Sequence, residues 1–290
     1  IMKNKGFIGL GVMGFPMANH LHNGGHKVRV CNRSEEKSRK WANLTGGNYF
    51  LTPEEVAEGC DVVFLCVGND EDVRSVVTGK DGLLKSLKPD SIIVDHTTTS
   101  ATLAQEISSK CLNQGISFID APLSGGQIGA ESGKLTVMAG GNINAFNKIE
   151  ELLGLYSKFV RHMGNSGAGQ LTKMVNQICI ASLIQGLAEG INFSEKAGLD
   201  TRGVVEVISK GAAQSWQMDN RWETMLSGEY EHGFAVDWMR KDLGIAIKEA
   251  ENNRANIDTT KTIDQYYQEV QAMGGSRWDT SSLLKRLQDD

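Results

Sequence analysis

The sequence predicts an α/β domain, a doubly wound and mostly parallel sheet, followed by a domain made only of helices. Two observations carry that reading. Over roughly the first 160 residues, short apolar runs alternate with helical segments, the order that a sheet with crossover helices on its faces requires. After "KFVRHMGN" (158–165) the period changes. From Gly169 to about Lys196 apolar residues recur at Leu171, Met174, Val175, Ile178, Ala181, Ile184, Leu187, Ala188 and Ile191, helical spacings kept over roughly seven turns. Residues 1–163 are therefore assigned to the sheet domain, and 164–290 to a helical domain that opens with one long helix.

Taken in order, "GFIGLG" (6–11) is a strand entering glycines, and "PMANHLHNGG" (16–25) is a helix closed by Gly24 and Gly25. "KVRVC" (27–31) is a second strand that runs into a turn. "TPEEVAEGC" places Thr52 at an N-cap, Pro53 at the first helical position and Glu55 three residues on, a capping box. "DVVFLCVG" (61–68) and "SIIVDHTT" (91–98) are continuous apolar runs, as strands covered on both faces must be. "ISFIDAPLSGG" (116–126) and "KLTVMAGG" (134–141) continue the series. Beyond the long helix no strand pattern returns; "DTRGVVEVISKG" is too short and too mixed to suggest one.

The bulk numbers exclude several classes. With 40% hydrophobic residues in 290, the chain can bury a sizeable core, and disorder is not expected. A net charge of −5 disfavours nucleic acid, whose phosphates call for a basic excess. No run nears the ~18 apolar residues of a membrane helix. No signal peptide opens the chain, so a cytoplasmic protein is expected, and Ile1 before Met2 is expected to be extraneous to the fold. Cys31, Cys60, Cys66, Cys111 and Cys179 are scattered without a C-x-x-C, the reduced pattern. The histidines show no ligand spacing, and no metal is expected.

Gly9-Leu10-Gly11-Val12-Met13-Gly14 is a G-x-G-x-x-G. Alone it is weak, because glycines also close ordinary turns. A strand before it and a helix after it make it the phosphate loop of a Rossmann-type, dinucleotide-binding domain. Gly9 would make the tight turn, Gly11 let a pyrophosphate approach, and Gly14 permit close helix–strand packing. An NAD site usually ends the second strand with an acid some 20 residues on, to hold the ribose 2′-hydroxyl. Here Asn32, Arg33 and Ser34 stand instead. A neutral Asn32 beside a planar guanidinium suits a 2′-phosphate, so NADP is expected, with NAD as the alternative. The bland reading is a solvated turn whose Ser34 caps the next helix.

Two further stretches carry chemistry. In "DAPLSGGQIGAESGKLTVMAGG" (120–141) a buried strand runs into Ser124-Gly125-Gly126, whose backbone amides could grip a small anion; otherwise it is a glycine-rich loop. "GNSGAGQLTKMVNQ" (164–177) places Lys173 one turn inside the long helix, with Asn176 and Gln177 three and four residues later on the same face. Most helix lysines face solvent. This one is flanked by an apolar stripe.

These motifs, with "FIGLGVMGFPMANHL" and "FAVDWMRKDLGIA", run in one order along essentially the whole chain. The chain thereby resembles the β-hydroxyacid dehydrogenase family, which includes 3-hydroxyisobutyrate dehydrogenases and tartronate semialdehyde reductases. More distantly it is similar to 6-phosphogluconate dehydrogenase. The resemblance implies an oxidoreductase that interconverts a small 3-hydroxy acid and its semialdehyde, with Lys173 as general acid/base and Ser124, Gly125 and Gly126 on the substrate carboxylate. It places Thr98 and Lys241 near the nicotinamide, assigns Cys66, Val67, Gly68 and Phe234 to the cofactor, has Asp242 orient the lysines, and lines the substrate pocket with Trp216. Members commonly carry asparagine four residues after the lysine; this chain has Gln177 there and Asn176 before it, so either amide could contact substrate. Arg221 and Arg240 lie near matched motifs, as extra carboxylate clamps or as solvated surface. A homodimer or homotetramer is expected. A tartronate semialdehyde (2-hydroxy-3-oxopropionate) reductase or a serine dehydrogenase is the alternative. More remote are an imine reductase, whose family replaces the lysine, and a non-catalytic NADP-binding protein.

Overall fold

A computed structural model describes residues 4–288, so the expectation for Ile1 and Met2 lies outside the described residues. The chain divides into two compact units between Lys173 and Met174.

The first unit begins with β1 (Asn4–Ile8), α1 (Gly14–Asn23), β2 (Lys27–Cys31), α2 (Glu35–Thr45), β3 (Asn48–Tyr49), α3 (Pro53–Ala57), β4 (Val62–Leu65) and α4 (Asp70–Thr78). It continues through β5 (Ile92–Asp95), α5 (Ala101–Leu112), β6 (Ser117–Asp120), β7 (Leu123–Ser124), α6 (Gly126–Glu131), β8 (Leu135–Gly141), α7 (Ile143–Gly154) and β9 (Ser157–Gly164). The strands form one sheet in the order β3-β2-β1-β4-β5-β6-β8-β7, with β9 also on β8. β1 to β6 are parallel neighbours. β8 runs antiparallel to β6 and β7 and parallel to β9.

Successive strand residues point to opposite faces. Phe7, Phe64, Val94 and Ile119 accordingly pack with Met17 and Leu21 of α1 and Phe146 and Ile149 of α7. Ile8, Leu65, Ile93 and Phe118 pack with Val56 of α3, Val73 of α4 and Leu103 and Ile107 of α5. Covering both faces is why β4 and β5 are buried throughout, "VVFL" and "IIVD" without a polar alternation. The capping box forms as expected: the Thr52 hydroxyl accepts from Glu55 N–H, and the Glu55 carboxylate accepts from Thr52 N–H. β1 leads to β2 on one side of the sheet, and β4 lies on its other side. The carboxyl ends of β1 and β4 thus form the switch point where open α/β sheets hold their ligands.

α8 (Ala168–Lys196) spans the division. The second unit adds α9 (Thr201–Ile208), α10 (Trp216–Ser227), α11 (Val236–Asn253), α12 (Asp258–Ala272) and α13 (Leu283–Gln288). Among its described residues there is no strand, only an isolated bridge between Ala235 and Asp279. By length and composition alone α8 is apolar enough to cross a membrane. Its Ala181, Ile184, Leu187, Ala188 and Ile191 are instead the core of this unit, packed with Val205, Met239, Leu243, Ile263 and Tyr267.

Candidate active site

The three glycines of the loop after β1 are needed for different reasons. Gly9 has φ +93°, and a Cβ there would lie 2.1 Å from the Cys66 carbonyl oxygen. A Cβ on Gly14 would stand 1.8 Å from the Gly9 carbonyl oxygen. Both positions are closed to any side chain by the protein's own backbone. Gly11 has nothing within 4 Å of a Cβ, so no packing inside the chain asks for glycine there. That open space leaves its backbone within reach of an outside group. The first turn of α1 carries no acidic residue and no side-chain cap, which leaves its N–H groups and positive dipole end to an anion. Residues present thus fit a dinucleotide pyrophosphate.

Asn32 proves to be a brace. Its Oδ1 accepts from Leu10 N–H at 2.9 Å and its Nδ2 donates to the Ser34 carbonyl at 3.0 Å, tying the glycine loop to the end of β2. Ser34 stands at the N-cap of α2, but its hydroxyl forms no cap bond. Arg33 is 92% exposed, with its guanidinium 3.7 Å from Asp72, which itself accepts from Gly68 N–H. An extended guanidinium held this loosely can reorient towards a phosphate. Cys66, Val67 and Gly68 follow β4 directly, and Val67 N–H donates to the Thr97 hydroxyl.

A buried polar layer, Asp95, His96, Thr97 and Asp120, closes β5 and β6. Asp95 and Asp120 are register partners at the ends of β5 and β6. Burial pushes the Asp95 carboxyl up to about 7 against hydrogen bonds from Thr97, and the neighbouring Asp120 adds to the rise. Burial likewise raises Asp120 to about 6, although backbone N–H groups at Gly167, Gln170 and Gly169 oppose it. His96 is held down to about 4 by burial. Its neutral ring donates from Nδ1 to the Ala121 carbonyl and accepts at Nε2 from the Tyr156 hydroxyl. Lys173 is only 8% exposed, unlike an ordinary helix lysine. Ser124 ends β7, and Gly125 and Gly126 take φ +124° and +60°, a left-handed turn that explains both glycines.

In the second unit, Gln177 Nε2 donates to Asp242 at 2.7 Å, and Asn176 Nδ2 donates to Gln177 Oε1 at 2.8 Å. Asp242 also lies 3.3 Å from the Lys241 ammonium. Gln177 is 2% exposed and has both ends of its amide in use, whereas Asn176 keeps its Oδ1 at a half-buried position. Trp216 opens α10 and is half exposed, with the Arg221 guanidinium 5.1 Å from its ring centre. Phe234 is partly buried against the unit's core. Neither suggested arginine is a free clamp or a solvated surface group. Arg221 pairs at 3.1 Å with the fully buried Asp279. Arg240 makes a bidentate pair with Asp264 and donates to Gln271.

The sequence reading missed Asp95, Asp120 and Gln170. The available signal was polarity where pattern demanded an apolar residue: two acids closing apolar strands, and a glutamine on the buried side of the helix.

A switch-point glycine loop in a parallel sheet, with an uncapped helix behind it, defines a dinucleotide-binding domain. Residues 4–164 match the family described as the NAD-binding domain of 6-phosphogluconate dehydrogenase. Residues 167–287 match the family described as NAD-binding of NADP-dependent 3-hydroxyisobutyrate dehydrogenase. The chain is 55% identical to an uncharacterized oxidoreductase of Shewanella frigidimarina, over 99% of both chains. It is 39% identical to the probable mitochondrial 3-hydroxyisobutyrate dehydrogenase-like protein 1 of Arabidopsis thaliana, over 98% of this chain and 84% of the other. The solved structure of Mycobacterium tuberculosis 3-hydroxyisobutyrate dehydrogenase with L-serine superposes with a TM-score of 0.89 at 26% identity, covering 99% of this chain and all of that one. The protein belongs to the 3-hydroxyisobutyrate dehydrogenase-like family of β-hydroxyacid dehydrogenases.

Proposed function

We propose that the protein interconverts a small 3-hydroxy acid of the 3-hydroxyisobutyrate kind and its semialdehyde, with NADP(H) preferred. The observation that carries this is a lysine, Lys173, buried to 8% exposure one turn into α8. The dinucleotide supplies the hydride in reduction and takes it up in oxidation. Lys173 as ammonium gives a proton to the carbonyl oxygen, and as amine takes it back from the hydroxyl. Ser124 and the amides beside it hold the carboxylate, which orients the reacting carbon. Asn176, with its open Oδ1, meets the substrate, while Gln177 holds Asn176 in place from Asp242. Trp216 lines the pocket, and Thr98, Phe234 and Lys241 serve the cofactor.

A panel of 3-hydroxyisobutyrate, 3-hydroxypropionate, glycerate and serine, with their semialdehydes and both dinucleotides, tests the reading. Turnover of at least one pair is expected, faster with NADP(H). No turnover with either dinucleotide would remove it.

Cofactor choice is tested at Arg33. Arg33→Ala should weaken NADPH binding about tenfold, below the full value of a charge-assisted contact because the guanidinium is solvated, and leave NADH nearly unchanged. The ratio of kcat/KM for NADPH to that for NADH is the measurement; a ratio that the substitution does not move would reduce "CNRSEEK" to a turn. Asn32→Asp is the less clean variant, because its second oxygen would face the Ser34 carbonyl and loosen the glycine loop.

The homodimer or homotetramer we propose rests on α8, which leaves Val175 at 60%, Leu183 at 46% and Phe193 at 72% exposure beside its buried stripe. Light scattering at micromolar concentration should give a multiple of 31.6 kDa. A strictly monomeric mass would overturn it.

A further inference from the structure

We infer that Gln170, with Asp120 beneath it, is a positioning residue that sets where Lys173 stands relative to the loop carrying Thr98. The inference rests on the reading of Lys173 as the proton donor.

Gln170 is fully buried in the first turn of α8, three residues before Lys173. Its Oε1 accepts from Thr99 N–H at 3.0 Å, and its Nε2 donates to the Thr97 carbonyl at 2.8 Å. One side chain therefore grips the backbone on both sides of Thr98. The same loop reaches β4 through the Thr97 hydroxyl and Val67 N–H.

Asp120 holds the helix end from below. Its carboxylate accepts from Gly167 N–H at 2.8 Å and from Gln170 N–H at 3.0 Å. Nothing separates the helix from the sheet here. A Cβ on Gly169 would lie 2.4 Å from the Met138 carbonyl oxygen and 2.5 Å from that of Asp120, and one on Gly140 would lie 2.7 Å from Gly169 nitrogen. The first turn of α8 is thus fixed to β6, β8 and the β5 loop at once. Three residues along a helix are ~4.5 Å of rise, so a shift of this turn reaches Lys173 undiminished.

A glutamine is a costly way to fill such a space. Buried amides are tolerated only when paired, and an apolar side chain of similar length would occupy the same volume without that demand. What the amide adds is direction: two bonds that set the height and rotation of the helix against one loop. The competing account is a brace that keeps the unit folded and has no bearing on the reaction.

Single-turnover reduction of the best semialdehyde, followed as loss of NADPH absorbance, separates the two. Rates are expressed per NADPH-binding site, beside the dissociation constant for NADPH and a thermal melt. Gln170→Met keeps the length and loses both bonds; Gln170→Glu keeps the acceptor for Thr99 N–H and, as a protonated buried acid, a weaker hold on the Thr97 carbonyl. Displacements near 1 Å can cost about a hundredfold. The rate per site is therefore expected to fall about tenfold to hundredfold in Gln170→Met and by less in Gln170→Glu. The NADPH dissociation constant should stay within about threefold. A deuteride-bearing cofactor should give a full primary isotope effect in the slowed variants. Fewer sites or a lower melting temperature with an unchanged rate per site would overturn the inference and leave Gln170 a brace. If Gln170→Met does not fold, a wild-type rate per site in Gln170→Leu, which also lacks both bonds, overturns it equally. Lys173→Ala, run alongside, separates the readings: an active alanine variant removes the lysine reading itself, whereas an inactive one beside a normal Gln170→Met removes only the positioning role.

Discussion

Lys173→Ala is expected to lower turnover by about 10²–10⁴-fold, the usual worth of a positioned acid–base group. NADPH binding should remain within about threefold, because the glycine loop and Arg33 lie on other elements. The side chain is 8% exposed, so alanine also leaves a cavity, and some loss of stability is expected with the loss of rate. Lys173→Met, which refills that space, separates the effects: stability should return and turnover should not. The measurements are kcat, the NADPH dissociation constant and the melting temperature of both variants. More than half the native rate in either would show that another group moves the proton.

Asp95→Asn is expected to change how stability depends on pH by a few kcal/mol between pH 4 and 7. In the native protein the Asp95 pKa is about 7 against 3.8 for an ordinary aspartate. Between those values the folded state holds a proton that the unfolded state has released. Stability therefore falls as pH rises, by about 1.4 kcal/mol per pH unit. Asp120, raised to about 6, has the same sign over a shorter window. His96 has the opposite sign: its ring stays neutral in the fold down to about 4, while the unfolded imidazole binds a proton below 6.5. It offsets one of the two carboxyls through the acid range, and above about 6.5 the Asp95 contribution alone remains. Asn cannot ionise, so the variant should gain on the native protein steadily as pH rises from 4 to 7. The buried Asp95 Oδ2, without a hydrogen-bond partner, is easier to bear as a neutral group than as a carboxylate. Denaturant unfolding of both proteins across this range gives the difference directly. A difference constant with pH would mean that Asp95 ionises like an exposed acid.

Much of the fold was legible before any coordinates. The capping box at Thr52, the buried runs "VVFL" and "IIVD", and the stripe along α8 are local signals, produced by groups within one turn or one strand of each other. Gly14, which a Cβ would drive into the Gly9 carbonyl five residues back, belongs with them, as does the +93° φ of Gly9, whereas the Cys66 carbonyl that also closes Gly9 comes from another strand. The site was legible only in part. Asn32 stood out for being the wrong residue at the end of β2, but its use as a brace depends on Leu10, 22 positions away. Arg221 and Arg240 read as clamps or surface until the fold set Asp279 and Asp264 against them.

What the sequence determined by itself was the class: a parallel α/β nucleotide domain and a helical one, since periodicity, glycine sterics and caps act over a few residues. What only the tertiary structure decided was the use of each polar side chain. Gln170 meets Thr97 across 73 residues and Asp120 across 50, and no local pattern encodes such pairings. A buried amide or carboxyl takes its role from the partners that desolvation compels it to find, and those partners arrive only when distant strands and helices pack.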